Sequence, residues 1–269
     1  MSKIVLRTAG HTRGGITRLV SPGDLGQQLR PFVFLDHFDI DGGGPQMGMH
    51  PHSGIATVSV VLGGALAFRD TTGQHGILQA GGVEWMSAAG GVWHTGGALQ
   101  GGHVRGYQLW LALPPEDESA PAHSRYLAPE HVPGVGQARV IIGSYVGVQG
   151  PIQTRASINL LHVRLNDGER WTYKPPAGHD VAWLAAAKGI AQVDDAKVAQ
   201  QIAVFDGVGA PIEVTARGDT EFLLGSAVRH PYPLVTGYYS VHTNVDALRR
   251  GEAEIERIGA SARTLEPVF

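Results

Sequence analysis

His50-Pro51-His52 sets two imidazoles two residues apart. In extended backbone, residues i and i+2 share a face, so both rings can approach one ion from the same side. Pro51 keeps the segment extended and biases His50 away from helical backbone. His94 follows in Gly90-Gly91-Val92-Trp93-His94-Thr95-Gly96-Gly97, where a strand pairing with the first would deliver a third imidazole. Three neutral imidazoles suit iron, nickel, copper or zinc better than magnesium or calcium. The same spacing also serves surface or hydrogen-bonded histidine pairs, so the pattern alone leaves both uses open.

Composition limits what else can hold a metal. The 269 residues include 13 histidines and no cysteine, which excludes disulfides, thiolate zinc sites, iron–sulfur clusters and thiol catalysis. Any metal must be held by histidine, carboxylate or water. Charged residues make up only 17% and the net charge is −3, so no basic surplus exists to neutralise a phosphate backbone, and direct nucleic-acid binding is not expected. No apolar run approaches the roughly 20 residues of a spanning helix, and the opening MSKIVLRTAG lacks the apolar stretch of a secretory signal. The expectation is a soluble, cytoplasmic protein with no membrane partner.

The elements that must position the histidines read as short strands. Thirty-eight glycines and 16 prolines are spread along the chain. They punctuate apolar, β-branched segments such as ATVSVVL, ALAFRD, GVEWMSA and GYQLWLAL, the pattern of an antiparallel sandwich or barrel. A polar, proline-rich stretch, 116–136, reads as a connection, and RVIIGSYVGV, SINLLHVRL, DVAWLAAA and TEFLLGSAV supply a second set of strands. Sliding the chain by 125 residues sets Ser59-Val60-Val61-Leu62-Gly63-Gly64 against Leu184-Ala185-Ala186-Ala187-Lys188-Gly189, a faint repeat. In that register Pro175 and Ala177 stand where His50 and His52 do, so the second half lacks the same ligands. Near the end, Val245, Leu248, Ile255 and Ile258 share a helical face after the cap-like Thr243-Asn244-Val245-Asp246, with Gly251 weakening the middle.

Three stretches in order carry a resemblance to a known family. They are Arg30-Pro31-Phe32-Val33-Phe34-Leu35-Asp36-His37-Phe38, Met49-His50-Pro51-His52-Ser53-Gly54-Ile55-Ala56-Thr57, and Val83-Glu84-Trp85-Met86-Ser87-Ala88-Ala89-Gly90-Gly91-Val92-Trp93-His94. With Gly106-Tyr107-Gln108-Leu109-Trp110 downstream, the chain resembles the pirin family over most of residues 17 to 258, most closely from 30 to 115. The resemblance implies an all-β bicupin: two cupin barrels of jelly-roll type with a short C-terminal helix. The expected division is an N-terminal barrel over 1–115 carrying the metal site, the linker 116–136, and a metal-free C-terminal barrel with the helix over 137–269. It implies one iron-type site, Fe(II) or another divalent transition metal, on His50, His52 and His94. The family's fourth ligand, a glutamate two residues after the third histidine, is Gly96 here, and the Arg and Glu common in its H-P-H-R-G-x-E-T segment are Ser53 and Ala56.

Two functions follow from the resemblance. One is an attenuated quercetin 2,3-dioxygenase-like oxidoreductase acting on a small aromatic enol, with Phe32, Phe34, Trp85 and Trp93 as candidate pocket walls, ordinary core being the commoner use of such residues. The other is a non-enzymatic regulator or transcription cofactor that binds a protein partner. With the usual carboxylate gone, His103 is a candidate fourth ligand and Glu84 a candidate substitute carboxylate, although Val83 and Trp85 face the other way in a strand. His37 reads as packing beneath the barrel mouth or supporting a ligand.

Overall fold

Two long strands organise the computed structural model, which describes residues 2–42, 47–206 and 209–262: Ile55–Asp70 and Val181–Val193. Each changes partners midway. Ile55–Asp70 pairs Val83–Ser87 through Ala56 to Val60, then pairs His75–Gln79 and Val92–Ala98 from Ala65 onward. Gly64 lies at the change with φ +70, and a Cβ there would fall 1.7 Å from the His103 carbonyl. Its counterpart in the repeat, Gly189, has φ +67 and would meet the Asp219 carbonyl at 2.4 Å. Both positions require glycine for the same reason, left-handed backbone pressed against a neighbouring strand.

The chain divides into two compact units. The first comprises Thr12–Glu130 and the segment from His230 onward; the second comprises the chain as far as His11 and His131–Arg229. In the first, the sheet runs His123–Leu127, Val83–Ser87, Ile55–Asp70, His103–Ala112, Phe32–Asp41, Ile16–Val20, His11–Arg13. In the second it runs Ile4–Thr8, Ile202–Phe205, Val181–Val193, Ile212–Ala227, Ile158–Leu165, Ala138–Ile142, Gly134–Val135. The long strand stands third in both orders and pairs antiparallel with the fourth. These are jelly-roll sandwiches whose hydrogen-bonded sheets stay open at their edges, not closed barrels. The bend at each glycine carries one long strand across both layers, so the layers close by packing.

The observed division differs from the expected linear one at three places. The strand Ile4–Thr8 pairs with Ile202–Phe205 in the second unit. The stretch 116–136 is built into structure: His123–Leu127 pairs with Val83–Ser87, and Glu118 is buried against Thr243. Its prolines lie outside the strand His123–Leu127, so the composition of a linker conceals an edge strand. The helix Val245–Ala262 belongs to the first unit, beside the histidines, instead of the second. Asn244 caps it by accepting from the Ala247 amide at 2.9 Å. Leu248 and Ile255 are buried as its periodicity requires, but Val245 is exposed. Among the described residues no helix is long and apolar enough to cross a membrane.

Candidate metal centre

The histidines meet because of strand register. Met47–His52 pairs antiparallel with Val92–Ala98, setting His50 opposite His94, Pro51 opposite Trp93 and His52 opposite Val92. Alternation does the rest. His50, His52 and His94 share one face, while Trp93 turns to the other and donates its indole N–H to the Ile255 carbonyl of the C-terminal helix at 2.7 Å. One ring nitrogen from each histidine lies within 4.8 Å of those of the other two, and all three residues are buried. Among the described residues this is the one group of three or more side chains arranged to hold a metal ion.

The hydrogen-bond partners fix which nitrogens point inward. His50 Nδ1 lies 2.9 Å from the Gly48 carbonyl and His52 Nδ1 lies 3.0 Å from the Tyr239 carbonyl. A carbonyl only accepts, so each Nδ1 carries the hydrogen and each Nε2 keeps its lone pair. His52 Nε2 faces His94 Nε2 at 3.1 Å. Burial, then the neighbouring His94, pushes the His50 imidazole down to about 3. Burial and both neighbours likewise hold His52 well below its usual range. These rings are therefore neutral across ordinary pH, the form in which imidazole ligates. The inward lone pairs of His50 and His52 Nε2, converging with the His94 ring, give a donor set that fits a divalent transition metal.

Behind the rings the support is aromatic and covalently remote. His52 packs edge-on against Trp110 at 4.8 Å, and Trp110 stacks on Phe34 at 4.0 Å. Tyr239 follows Tyr238 on the segment that precedes the C-terminal helix, with φ +52, and its ring lies 5.7 Å from that of His50. That segment is pinned by buried polar contacts. Ser53 donates to Ser240 at 2.9 Å and lies 3.0 Å from His242 Nε2; His242 Nδ1 lies 3.3 Å from Glu118, which accepts from both the amide and the hydroxyl of Thr243. Gly251 is explained here: a Cβ would fall 2.4 Å from His242 Nε2 and 2.5 Å from Ser53 Oγ, so glycine allows the helix to approach.

A cavity of about 400 Å³ adjoins His94 within the same unit. Its apolar walls include Phe38, Phe68, Leu66 and Ile40, and its polar groups include Asp36, Ser59, Glu84 and Gln108. The aromatics expected as walls are elsewhere: Phe34 stacks on Trp110, Trp93 lies under the helix, and neither Phe32 nor Trp85 borders this space. Gly96 does line it, with room for a Cβ at 3.5 Å from the Ala67 carbonyl. Asp36 is paired with Arg18, whose guanidinium lies 4.0 Å over Phe34. Burial raises the Asp36 carboxyl although Arg18 opposes it.

The other histidines do not join the cluster. His103, the expected alternative ligand, pairs with Asp39 at 2.5 Å on the exposed surface. His37 packs against Tyr107 at 4.9 Å. In the second unit, His162 pairs with Glu221 at 2.9 Å, and His179 bonds Ser157 at 2.9 Å and Ser226 at 2.7 Å. Two supports lay outside the sequence reading: the carbonyls of Gly48 and Tyr239, which leave no residue-type signal, and the Ser53–His242–Glu118 contacts.

Comparison with known proteins matches this architecture. The sequence pattern of the family described as Pirin covers residues 15–111. A Pseudomonas aeruginosa protein that bears the provisional name quercetin 2,3-dioxygenase is 31% identical over 244 residues, 83% of this chain and 83% of its own. A pirin-like protein of Caulobacter vibrioides is 32% identical over 220 residues, 78% of this chain and 79% of its own. A crystal structure of quercetin 2,3-dioxygenase from Acinetobacter baumannii is similar with a TM-score of 0.86 at 25% identity, over 96% of this chain and 97% of that one. With its paired jelly-roll units and its three converging histidines, the chain belongs to the pirin family.

Proposed function

We propose that the first unit is a metal-dependent oxidoreductase site of quercetin 2,3-dioxygenase type, acting on a small aromatic enol. The observation that carries this reading is the convergence of three buried imidazoles beside a cavity of about 400 Å³, within the range of small-molecule sites. His50, His52 and His94 would hold the ion, Fe(II) first among the candidates. What such an ion supplies when bound is Lewis-acid polarisation of an enol oxygen and electron exchange with dioxygen. The chain's own residues supply the rest. Phe38 and Phe68 give flat apolar walls for an aromatic ring. Gln108 and Ser59 offer hydrogen bonds to its hydroxyls, and the buried carboxylates of Asp36 and Glu84 favour a ligand that donates over one that is anionic.

The carboxylate usual at position 96 is absent, so the family's base on that strand is missing and turnover is expected to be slow. The test is elemental analysis of protein purified without a metal-scavenging tag, followed by oxygen uptake with a flavonol. The reading requires near-stoichiometric metal that His52→Ala abolishes, with flavonol-dependent uptake. Metal retention with no uptake on any aromatic enol would favour the regulatory, partner-binding reading.

A further inference from the structure

We infer that Glu84 is the positioning carboxylate of the centre: it orients His94 through Nδ1 from the preceding strand, in place of any carboxylate on the strand of His94 itself. This rests on the metal reading above and names how its third ligand is held. Of the three imidazoles, two have Nδ1 fixed by main-chain carbonyls, those of Gly48 and Tyr239. His94 faces a side chain instead: Glu84 Oε1 lies 3.6 Å from His94 Nδ1, with both side chains about 95% buried. That separation is within ion-pair range and a small ring rotation from a hydrogen bond. A carboxylate opposite Nδ1 favours the hydrogen there and leaves the Nε2 lone pair toward His50 and His52, and it raises the ring's basicity as a ligand.

Glu84 is itself held. Its Oε2 accepts from Ser59, and its Oε1 is 3.4 Å from the Tyr126 hydroxyl, which donates at 2.9 Å to Asp70. Asp70 in turn accepts from Ser124 at 2.6 Å and from the Thr72 amide and hydroxyl at 2.8 and 2.6 Å. Phe68 stacks on Tyr126 at 3.4 Å, closing the apolar side. The carboxylate thus has Ser59 and Tyr126 as partners besides His94. It stands on the far side of that ring from His52 Nε2, which makes it a support and not a ligand.

The experiment compares wild type, Glu84→Gln and Glu84→Ala as full-length, chelator-stripped protein, with His52→Ala as the control for the metal reading. Cobalt(II) is titrated by visible absorption, and the His94 ring nitrogens are assigned by ¹⁵N NMR without metal. Removal of a carboxylate behind a metal-bound histidine weakens affinity about 10- to 100-fold. The expected result is a loss of that size in Glu84→Ala, a smaller one in the isosteric Glu84→Gln, and a hydrogen on His94 Nδ1 in wild type that Glu84→Ala loses and Glu84→Gln, whose amide oxygen still accepts, keeps. Cobalt affinity within twofold of wild type in both variants, with the His94 Nδ1 hydrogen unchanged in Glu84→Ala, would overturn the inference. If wild type fails to bind cobalt, the metal reading fails, and the Nδ1 assignment alone still decides the role of Glu84.

Discussion

His52 Nδ1 lies 3.0 Å from the main-chain carbonyl of Tyr239, 187 residues away in sequence. A histidine on a strand in the first fifth of the chain is thus oriented by a segment more than 180 residues further along. That segment is kept in place by His242, which bridges Ser53 and Glu118.

Replacing His242 with Ala should therefore act at two levels. It leaves Glu118 buried with Thr243 as its remaining partner and costs about 3 kcal/mol of stability. It should also weaken metal binding several-fold, because the Tyr239 carbonyl loses its anchor. Chemical denaturation and cobalt titration check the two effects separately; lowered stability with unchanged affinity would mean that the segment does not position His52.

Gly251→Ala separates helix propensity from packing. Propensity alone would stabilise the helix by about 1 kcal/mol. The clash with His242 and Ser53 predicts the opposite sign, a loss of about 2 kcal/mol or more. Gly23→Ala, where a Cβ meets nothing within 4 Å, is the matched control and should be close to neutral. Thermal melts of the two variants suffice.

Gly96→Glu should restore a carboxylate at a position that borders the cavity and has room for the new Cβ. General base catalysis contributes about 10²- to 10⁴-fold, so the variant should gain flavonol-dependent oxygen uptake and retain metal more tightly. Vigorous and equal turnover in wild type would show that the carboxylate is dispensable.

Metal-free protein should lose stability in acid through the buried imidazoles. His50 is held at about 3 in the folded state against about 6.5 when unfolded, and His52 is shifted in the same direction. Between those values the unfolded chain binds more protons, so this contribution is intact above about pH 6.5 and is lost as pH falls toward 3. At about 1.4 kcal/mol per pH unit for each such histidine, urea midpoints should fall steeply between pH 6.5 and 4.5. The double variant His50→Gln, His52→Gln should show a flatter profile.

Much of this was readable from residue order. The i, i+2 histidines and the third in Val92–Ala98 follow from strand alternation, and the glycines at 64 and 189 bear out the 125-residue register. Alternation also set Glu84 on the face away from Val83 and Trp85, but not which face borders the cavity. In the fold Phe38 and Phe68 border the cavity with Glu84, while Phe34 lies against Trp110. The edge strand His123–Leu127 is hidden in the sequence by the prolines that flank it, and nothing in IVLRT marks the partner of the N-terminal strand.

The interleaving of the two units also sets an order of completion during synthesis. His50, His52 and His94 leave the ribosome early, yet the carbonyl at Tyr239 and the anchor at His242 come only after the whole second unit has been translated. A chain interrupted between His94 and Tyr239 thus contains all three imidazoles without the partner that orients one of them, so the surroundings of His52 are complete only once synthesis has passed Tyr239 and His242.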